Sequence, residues 1–139
     1  MHAAERIFPA SEDALNDVLS FVEEELEKAD CPMKTAMQVT VSVEEIFVNL
    51  AQYAYPEGTG EMKLTVAAGN GAVSLTFEDG GIPFNPLAQE DPDLTLSAEE
   101  RPIGGLGIYM VKKSMDSVFY ERKNGLNRFS MTKTFGQKV

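Results

Sequence analysis

The amino-acid sequence predicts an α/β (α+β) two-layer sandwich, with helices on one face of a mixed, mostly antiparallel β-sheet. Apolar residues recur with the helical period in three segments, and they alternate with polar residues in two pairs of short segments. An Asn-Gly dipeptide separates the members of each pair, which is the strongest short-range signal of a β-hairpin. Elements of these two kinds bury their apolar sides together when the helices pack on one face of the sheet.

The first third of the chain predicts one short strand and two helices. Residues 6–8 form a short apolar stretch that ends at Pro9, as in an edge strand or an extended arm. Ser11 precedes two acids and an apolar stripe, so we expect it to cap a helix that ends near residues 29–32. A second stripe predicts a helix over residues 33–55, which ends before a proline.

The two predicted hairpins are defined by alternation on either side of their turns. Residues 62–68 and 73–77 alternate, and the residues at 69–71 supply the positive φ angles that a tight turn requires. The end of the chain repeats this pattern around a Lys-Asn-Gly turn at 123–125.

Between the hairpins the sequence loses its periodicity. The segment 85–103 is rich in prolines and acids, and a long irregular segment inside a small domain is usually a lid, a binding loop or disordered. A glycine run at 104–107 then leads into the third apolar stripe, which predicts a helix that ends near Asp116.

Composition limits the class of protein. With 139 residues, 43% hydrophobic and 24% charged, we expect one globular domain over residues 1–139. The formal net charge of −10 repels phosphate backbones, so we expect no direct nucleic-acid partner. The single cysteine, Cys31, cannot form an internal disulfide, and no stretch resembles a signal peptide or a membrane span. These features predict a cytoplasmic protein with no membrane partner.

Glu45 and Asn49 lie one turn apart on the second predicted helix, so their side chains can converge on one point. An amide oxygen can ligate a hard cation such as Mg²⁺, and a carboxylate can take a proton from an attacking hydroxyl. Surface pairs of this kind are common, so the pair alone does not identify a site.

Asp79 and Gly81 stand at the end of a predicted buried strand. Asp and Gly are ordinary turn residues, and a turn is one interpretation of this segment. In the other interpretation, Asp79 accepts a hydrogen bond from an exocyclic amine such as that of adenine, and Gly81 lets the backbone lie close to a flat ring.

The glycines at 104–107 come just before a helix, where free amides and the helix dipole favour phosphate. Lys112, further along the same helix, is a candidate for additional positive charge at a bound phosphate. The run lacks the Lys-Ser/Thr of a P-loop, and a plain loop-to-helix joint stays open as an alternative.

In this order and spacing the three clusters carry a family resemblance. Residues 45–49 (EIFVN) resemble the N box of the GHKL superfamily of nucleotide-binding domains, which gyrase, Hsp90, histidine kinases and MutL share. Residues 79–86 (DGGIPFNP) resemble its first glycine box, and residues 104–108 (GGLGI) its second. The PFNP end of the first glycine box is similar to that of bacterial anti-sigma factor serine kinases, and the resemblance covers about 7–135. The chain departs from many relatives at Leu50 and Tyr53, where they carry Ala and His.

The resemblance implies a Bergerat-type fold that binds ATP beneath a lid at about 85–103. It implies that Glu45 is the general base, that Asn49 ligates Mg²⁺, and that Asp79 binds the adenine amino group with Gly81 under the ring. The residues that it places near the phosphates are Gly105, Leu106 and Gly107, with Arg101 as a further contact.

The resemblance also implies a function. The chain would be a serine kinase that phosphorylates an anti-anti-sigma (STAS-type) partner and sequesters a sigma factor, and relatives commonly form homodimers. Two alternatives stay open at this point. The chain could be a nucleotide-dependent binding module that transfers no phosphate, or the glycine boxes could be coincidental.

Overall fold

The chain folds into one antiparallel sheet and three α-helices in a computed structural model that describes residues 2–56, 60–88 and 106–135. The elements, in chain order, are β1 (His2–Pro9), α1 (Leu15–Lys28), α2 (Met33–Tyr53), β2 (Glu61–Gly69), β3 (Ala72–Asp79), α3 (Leu106–Ser114), β4 (Ser117–Lys123) and β5 (Leu126–Thr134). Short 3₁₀ turns at Glu12–Ala14 and Pro86–Ala88 complete the described structure.

The strand order is β1-β2-β3-β5-β4, and all four pairings of the described strands are antiparallel. The sequence predicts a mixed, mostly antiparallel sheet, so the α+β class is confirmed and the described sheet contains no parallel pair. Because β5 lies between β3 and β4, the beginning of β5 runs beside the end of β3.

Both hairpin turns are confirmed in detail. Asn70 and Gly71 have φ angles of 56° and 78°, and Asn124 and Gly125 have φ angles of 53° and 79°. Two consecutive positive φ angles define the type I′ turn, which matches the twist of the strands it joins.

The core forms between one face of the sheet and the helices. Alternate residues of β2 and β3 are buried, and they belong to one cluster with the apolar stripes of all three helices. The largest fully buried side chains in the described chain include Phe47, Phe77 and Phe129. The helices therefore cover one face of the sheet, as predicted.

Helix boundaries differ from the prediction by small amounts with clear causes. The hydroxyl of Ser11 accepts a hydrogen bond from the Asp13 amide at 3.3 Å, but it caps the 3₁₀ turn that precedes α1. Helix α2 ends at Tyr53, not at residue 55. The next carbonyl, that of Ala54, accepts a hydrogen bond from the amide of Ile82 at 3.0 Å, so the end of α2 is fastened to the loop after β3.

Only residues 85–88 of the predicted lid (85–103) fall within the described structure, and part of them forms the 3₁₀ turn Pro86–Ala88. The remaining lid residues lie outside the described residues. Among the helices that are described, none combines the length and the apolar character needed to cross a membrane.

Candidate functional site

Glu45 and Asn49 occupy one half-buried face of α2. The side-chain amide of Asn49 donates from Nδ2 to the main-chain carbonyl of Glu45 at 2.6 Å. This bond orients the amide and leaves Oδ1 as the atom that can ligate a cation. Within the described residues no group of three or more His, Cys, Asp or Glu side chains could hold a metal, so a cation here would depend on Asn49 and on the ligand itself.

The carboxylate of Glu45 lies against the first turn of α3. A Cβ atom on residue 107 would stand 1.9 Å from Glu45 Oε2 and 2.6 Å from its Cδ, so the carboxylate occupies the space that any side chain at Gly107 would need. The beginning of a helix carries free amides and the positive end of the dipole, both of which favour an anion. The structure therefore brings together Glu45, the predicted base, and Gly107, the last glycine of the second glycine box.

A groove of about 320 Å³ runs between α2 and α3 beside this contact. Glu45 and Gly107 line the groove together with the apolar residues Val41, Met110 and Val111 and with two serines. Val41 and Met110 are 59% and 53% exposed, which is unusual for large apolar side chains and leaves an open apolar surface next to the carboxylate.

Asp79 ends β3 with its side chain turned toward the helices, and it is only 2% exposed. Its Oδ1 accepts hydrogen bonds from the Gly81 amide at 2.9 Å and from Asn127 Nδ2 at 3.0 Å. Its Oδ2 is buried and has no hydrogen-bond partner within the described residues. A buried acceptor without a donor is costly, so this oxygen is suited to receive a donor from a ligand.

Gly81 is required by the approach of the loop to α2. A Cβ atom here would lie 2.4 Å from the carbonyl oxygen of Ala54 and 2.9 Å from its Cβ. The sequence interpretation gives Gly81 a place under a flat ring. The structure adds a reason that needs no ring, because the loop could not pack on the end of α2 with a larger residue.

Asn127 was missed in the sequence interpretation, although it is 1% exposed and central to the site. Its amide holds the loop after β3 through Asp79, Ile82 and Phe84. The signal that could have found it is its inward position on β5, in the same alternation as the buried Phe129 and Met131.

Two further residues contact the loop. The Arg122 guanidinium donates from Nη1 to the carbonyl of Gly81 at 2.7 Å. The Tyr55 hydroxyl donates to the carbonyl of Glu61 at 3.2 Å, and burial together with the negative charge of Asp79 raises the pKa of Tyr55 to about 12. The hydroxyl thus stays protonated near the carboxylate at neutral pH.

Tyr53, a departure from the family pattern, follows Asn49 by one turn of α2 and is 51% exposed. Its ring packs on Phe84, with 5.2 Å between the ring centroids. The tyrosine therefore joins α2 to the first glycine box by an aromatic contact, which a smaller histidine ring would make less extensively.

The site is elongated along α2. Glu45 and Ala54 are nine residues apart, roughly 13 Å of helix, so the Glu45 carboxylate and the loop of Asp79 and Gly81 lie at separate ends. One end offers a buried acceptor, the Asp79 carboxylate, and the other offers the side-chain amide of Asn49 and the carboxylate of Glu45. This arrangement can hold an extended ligand with a base at one end and phosphates at the other.

Within the described residues, the structure does not place the remaining predicted phosphate contacts beside Glu45 in the groove. Lys112 lies five residues after Gly107, about 140° around α3, and it does not line the groove beside Glu45. Leu106 is the first residue of α3. Arg101 and Gly105 lie outside the described residues.

The fold, a five-stranded antiparallel sheet with three helices, is consistent with an ATPase domain of the histidine kinase type, and the placement of these groups is compatible with it. The chain belongs to the family described as the histidine kinase-like ATPase domain, whose model matches residues 8–133. Membership of a family of ATPase domains implies that the chain binds ATP.

Curated relatives of this chain are protein kinases. The chain is 26% identical over 95 residues to the serine/threonine-protein kinase BtrW of Bordetella bronchiseptica, which covers 68% of this chain and 67% of BtrW. It is 24% identical over 90 residues to the serine-protein kinase RsbW of Bacillus mycoides and 26% identical to that of Bacillus anthracis. Each RsbW match covers 62% of this chain, and the chain spans little more than half of RsbW, 56% of its length.

Proposed function

We propose that this protein is an ATP- and Mg²⁺-dependent serine kinase of the anti-sigma factor type. It transfers the γ-phosphate of ATP to a serine of an anti-anti-sigma (STAS-type) partner, and it binds a sigma factor. The observation that carries the proposal is the carboxylate of Glu45, which lies at the first turn of α3 and one turn from Asn49. A module that only bound nucleotide would not need an acid in this place.

The described residues fit the nucleotide. The unpaired Asp79 Oδ2 is the acceptor that the adenine amino group requires, and Gly107 leaves room beside the positive end of α3. Asn49 Oδ1 would ligate Mg²⁺, which offsets the phosphate charge in a protein whose own net charge is −10.

The residues then act mainly by position and charge. Glu45 would orient the serine hydroxyl and accept its proton as the serine oxygen bonds to the γ-phosphorus, and the bond from that phosphorus to the ADP oxygen breaks. A neutral ligand at Asn49 leaves the full charge of the metal to act on the phosphates. Asp79, buried and doubly hydrogen-bonded, would fix the purine end.

The groove between α2 and α3 supports the proposal that the phosphoryl acceptor is a protein. It opens beside Glu45, and the exposed Val41 and Met110 offer apolar contact to a segment that carries the serine. A water molecule as acceptor would need no such surface.

The test is phosphoryl transfer from labelled Mg²⁺-ATP to candidate STAS-type domains. We expect Glu45→Gln to keep nucleotide affinity within a few-fold of wild type and to lower transfer by roughly 100-fold or more, because the amide cannot accept the proton. Wild-type transfer that Glu45→Gln retains would refute the role of Glu45. A wild-type chain that binds the partner only with ATP, and leaves no phosphoserine, would instead be a binding module.

A further inference from the structure

We propose that Asn127 sets the preference of this site for a 6-aminopurine, because it determines how Asp79 presents its carboxylate to the ligand. The inference rests on the proposed nucleotide site. It assigns a positioning residue that acts through Asp79 and does not require contact between Asn127 and the nucleotide.

The amide of Asn127 is fully used. Nδ2 donates to Asp79 Oδ1 at 3.0 Å and to the Ile82 carbonyl at 2.8 Å. Oδ1 accepts from the Phe84 amide at 3.1 Å and from the Tyr120 hydroxyl. Two donors and two acceptor positions are the whole capacity of a side-chain amide. A rotation of the amide would place its donors against donors, so its orientation is determined by the surrounding loop and strands.

This arrangement divides the two oxygens of Asp79 between different tasks. Oδ1 accepts hydrogen bonds from Asn127 Nδ2 and from the Gly81 amide, and these two bonds hold the carboxylate in one orientation. Oδ2 is left as a buried acceptor without a donor. A 6-amino group supplies that donor, whereas a 6-oxo group would place a second acceptor against it.

The loss of Asn127 would weaken this discrimination. Without the Asn127 amide, only the Gly81 amide would hold Oδ1, so the Asp79 carboxylate could turn and Oδ2 would no longer be fixed toward the 6-substituent of the purine. A role that was only structural would lower the affinity for both purines by the same factor. The ratio of the two affinities therefore separates the two roles.

The experiment is a calorimetric titration of the full chain with Mg²⁺-ATP and with Mg²⁺-ITP, whose bases differ in the 6-substituent. We expect wild type to bind ATP roughly tenfold or more tighter than ITP, the effect of one charge-assisted hydrogen bond. For Asn127→Ala we expect the ATP affinity to fall by about tenfold or more and the ratio to approach one.

Two other variants complete the design. Asn127→Ser retains one hydroxyl donor at this position, so its ATP-to-ITP ratio should fall between those of wild type and Asn127→Ala. Asn16→Ala changes an exposed asparagine of α1 and should leave both affinities unchanged. Thermal melts identify the folded variants, and if Asn127→Ala does not fold, the ratio for Asn127→Ser decides.

Each outcome has one meaning. The folded Asn127 variants could keep the wild-type ratio of ATP to ITP affinity, whether both affinities are unchanged or both are weakened equally. That result would overturn the assignment to Asn127 and leave the proposed function standing. A wild-type chain that binds neither nucleotide would overturn the proposed function, and this assignment with it.

Discussion

Gly81→Ala should destabilise the protein although it adds one methyl group. The added Cβ would stand 2.4 Å from the Ala54 carbonyl oxygen, against about 3.4 Å for ordinary contact, so the loop and the end of α2 must separate by about 1 Å. That carbonyl is main chain and cannot rotate away as the end of a side chain can. The same movement would stretch the 3.0 Å hydrogen bond from the Ile82 amide to Ala54.

The expected loss follows from these terms. Crowding of a packed contact costs about 1–3 kcal/mol, and the loss of the hydrogen bond about 0.5–1.5 kcal/mol. Replacement of glycine by alanine returns roughly 0.4–1 kcal/mol, because the unfolded chain is less flexible. We therefore expect the free energy of unfolding to fall by about 0.5–4 kcal/mol, which lowers Tm by roughly 2–15 °C in a domain of this size.

The neighbouring glycine provides the matched control. A Cβ on Gly80 would meet no atom closer than 3.9 Å, so Gly80→Ala should be neutral or slightly stabilising. Urea and thermal unfolding of the two variants measure the difference. If Gly81→Ala were as stable as wild type, or if both variants lost the same stability, the close approach of the loop to α2 would be wrong.

Two further predictions concern Glu45 and the end of the sheet. In Gly107→Ala the new Cβ would displace only the flexible end of the Glu45 side chain, so the free energy of unfolding should change by less than about 1 kcal/mol. Phosphoryl transfer should nevertheless fall roughly 100-fold, because the carboxylate is moved. Transfer equal to that of wild type would contradict the placement of the base. Asp116 accepts hydrogen bonds from the hydroxyl and the amide of Thr134 at 2.7 and 2.6 Å, and these bonds hold its pKa below the ordinary 3.8. A pKa that is lower in the folded state adds stability that is fully present above pH 3.8 and is lost as the pH falls through the folded-state pKa. The difference in Tm between wild type and Asp116→Asn should therefore close at low pH. A difference that stays constant with pH would refute this.

Local signals in the sequence predicted the elements well because each depends on neighbours along the chain. The two Asn-Gly turns and the helical stripes have this character, and so does the pairing of Glu45 with Asn49, which one turn of helix brings together. The roles given to these residues remain predictions, since their geometry is compatible with them but does not test them.

The relation between distant strands could not be predicted in the same way. Asn127 lies beside Asp79 only because β5, and not β4, pairs with β3, and strand order depends on the packing of the whole sheet. The position of Asn127 on the buried side of β5 was visible in the alternation, but its partner was not. Gly81 is similar, because its contact with Ala54 requires the end of α2 to reach the loop.

The most direct test of the proposed ATP site along α2 is a calorimetric titration of the wild-type chain with ATP, with and without Mg²⁺. Asn49 and the acidic net charge predict a single class of site whose affinity falls sharply when Mg²⁺ is chelated. Absence of heat with Mg²⁺-ATP, or the same affinity in the presence of a chelator, would contradict Mg²⁺-dependent ATP binding at this site.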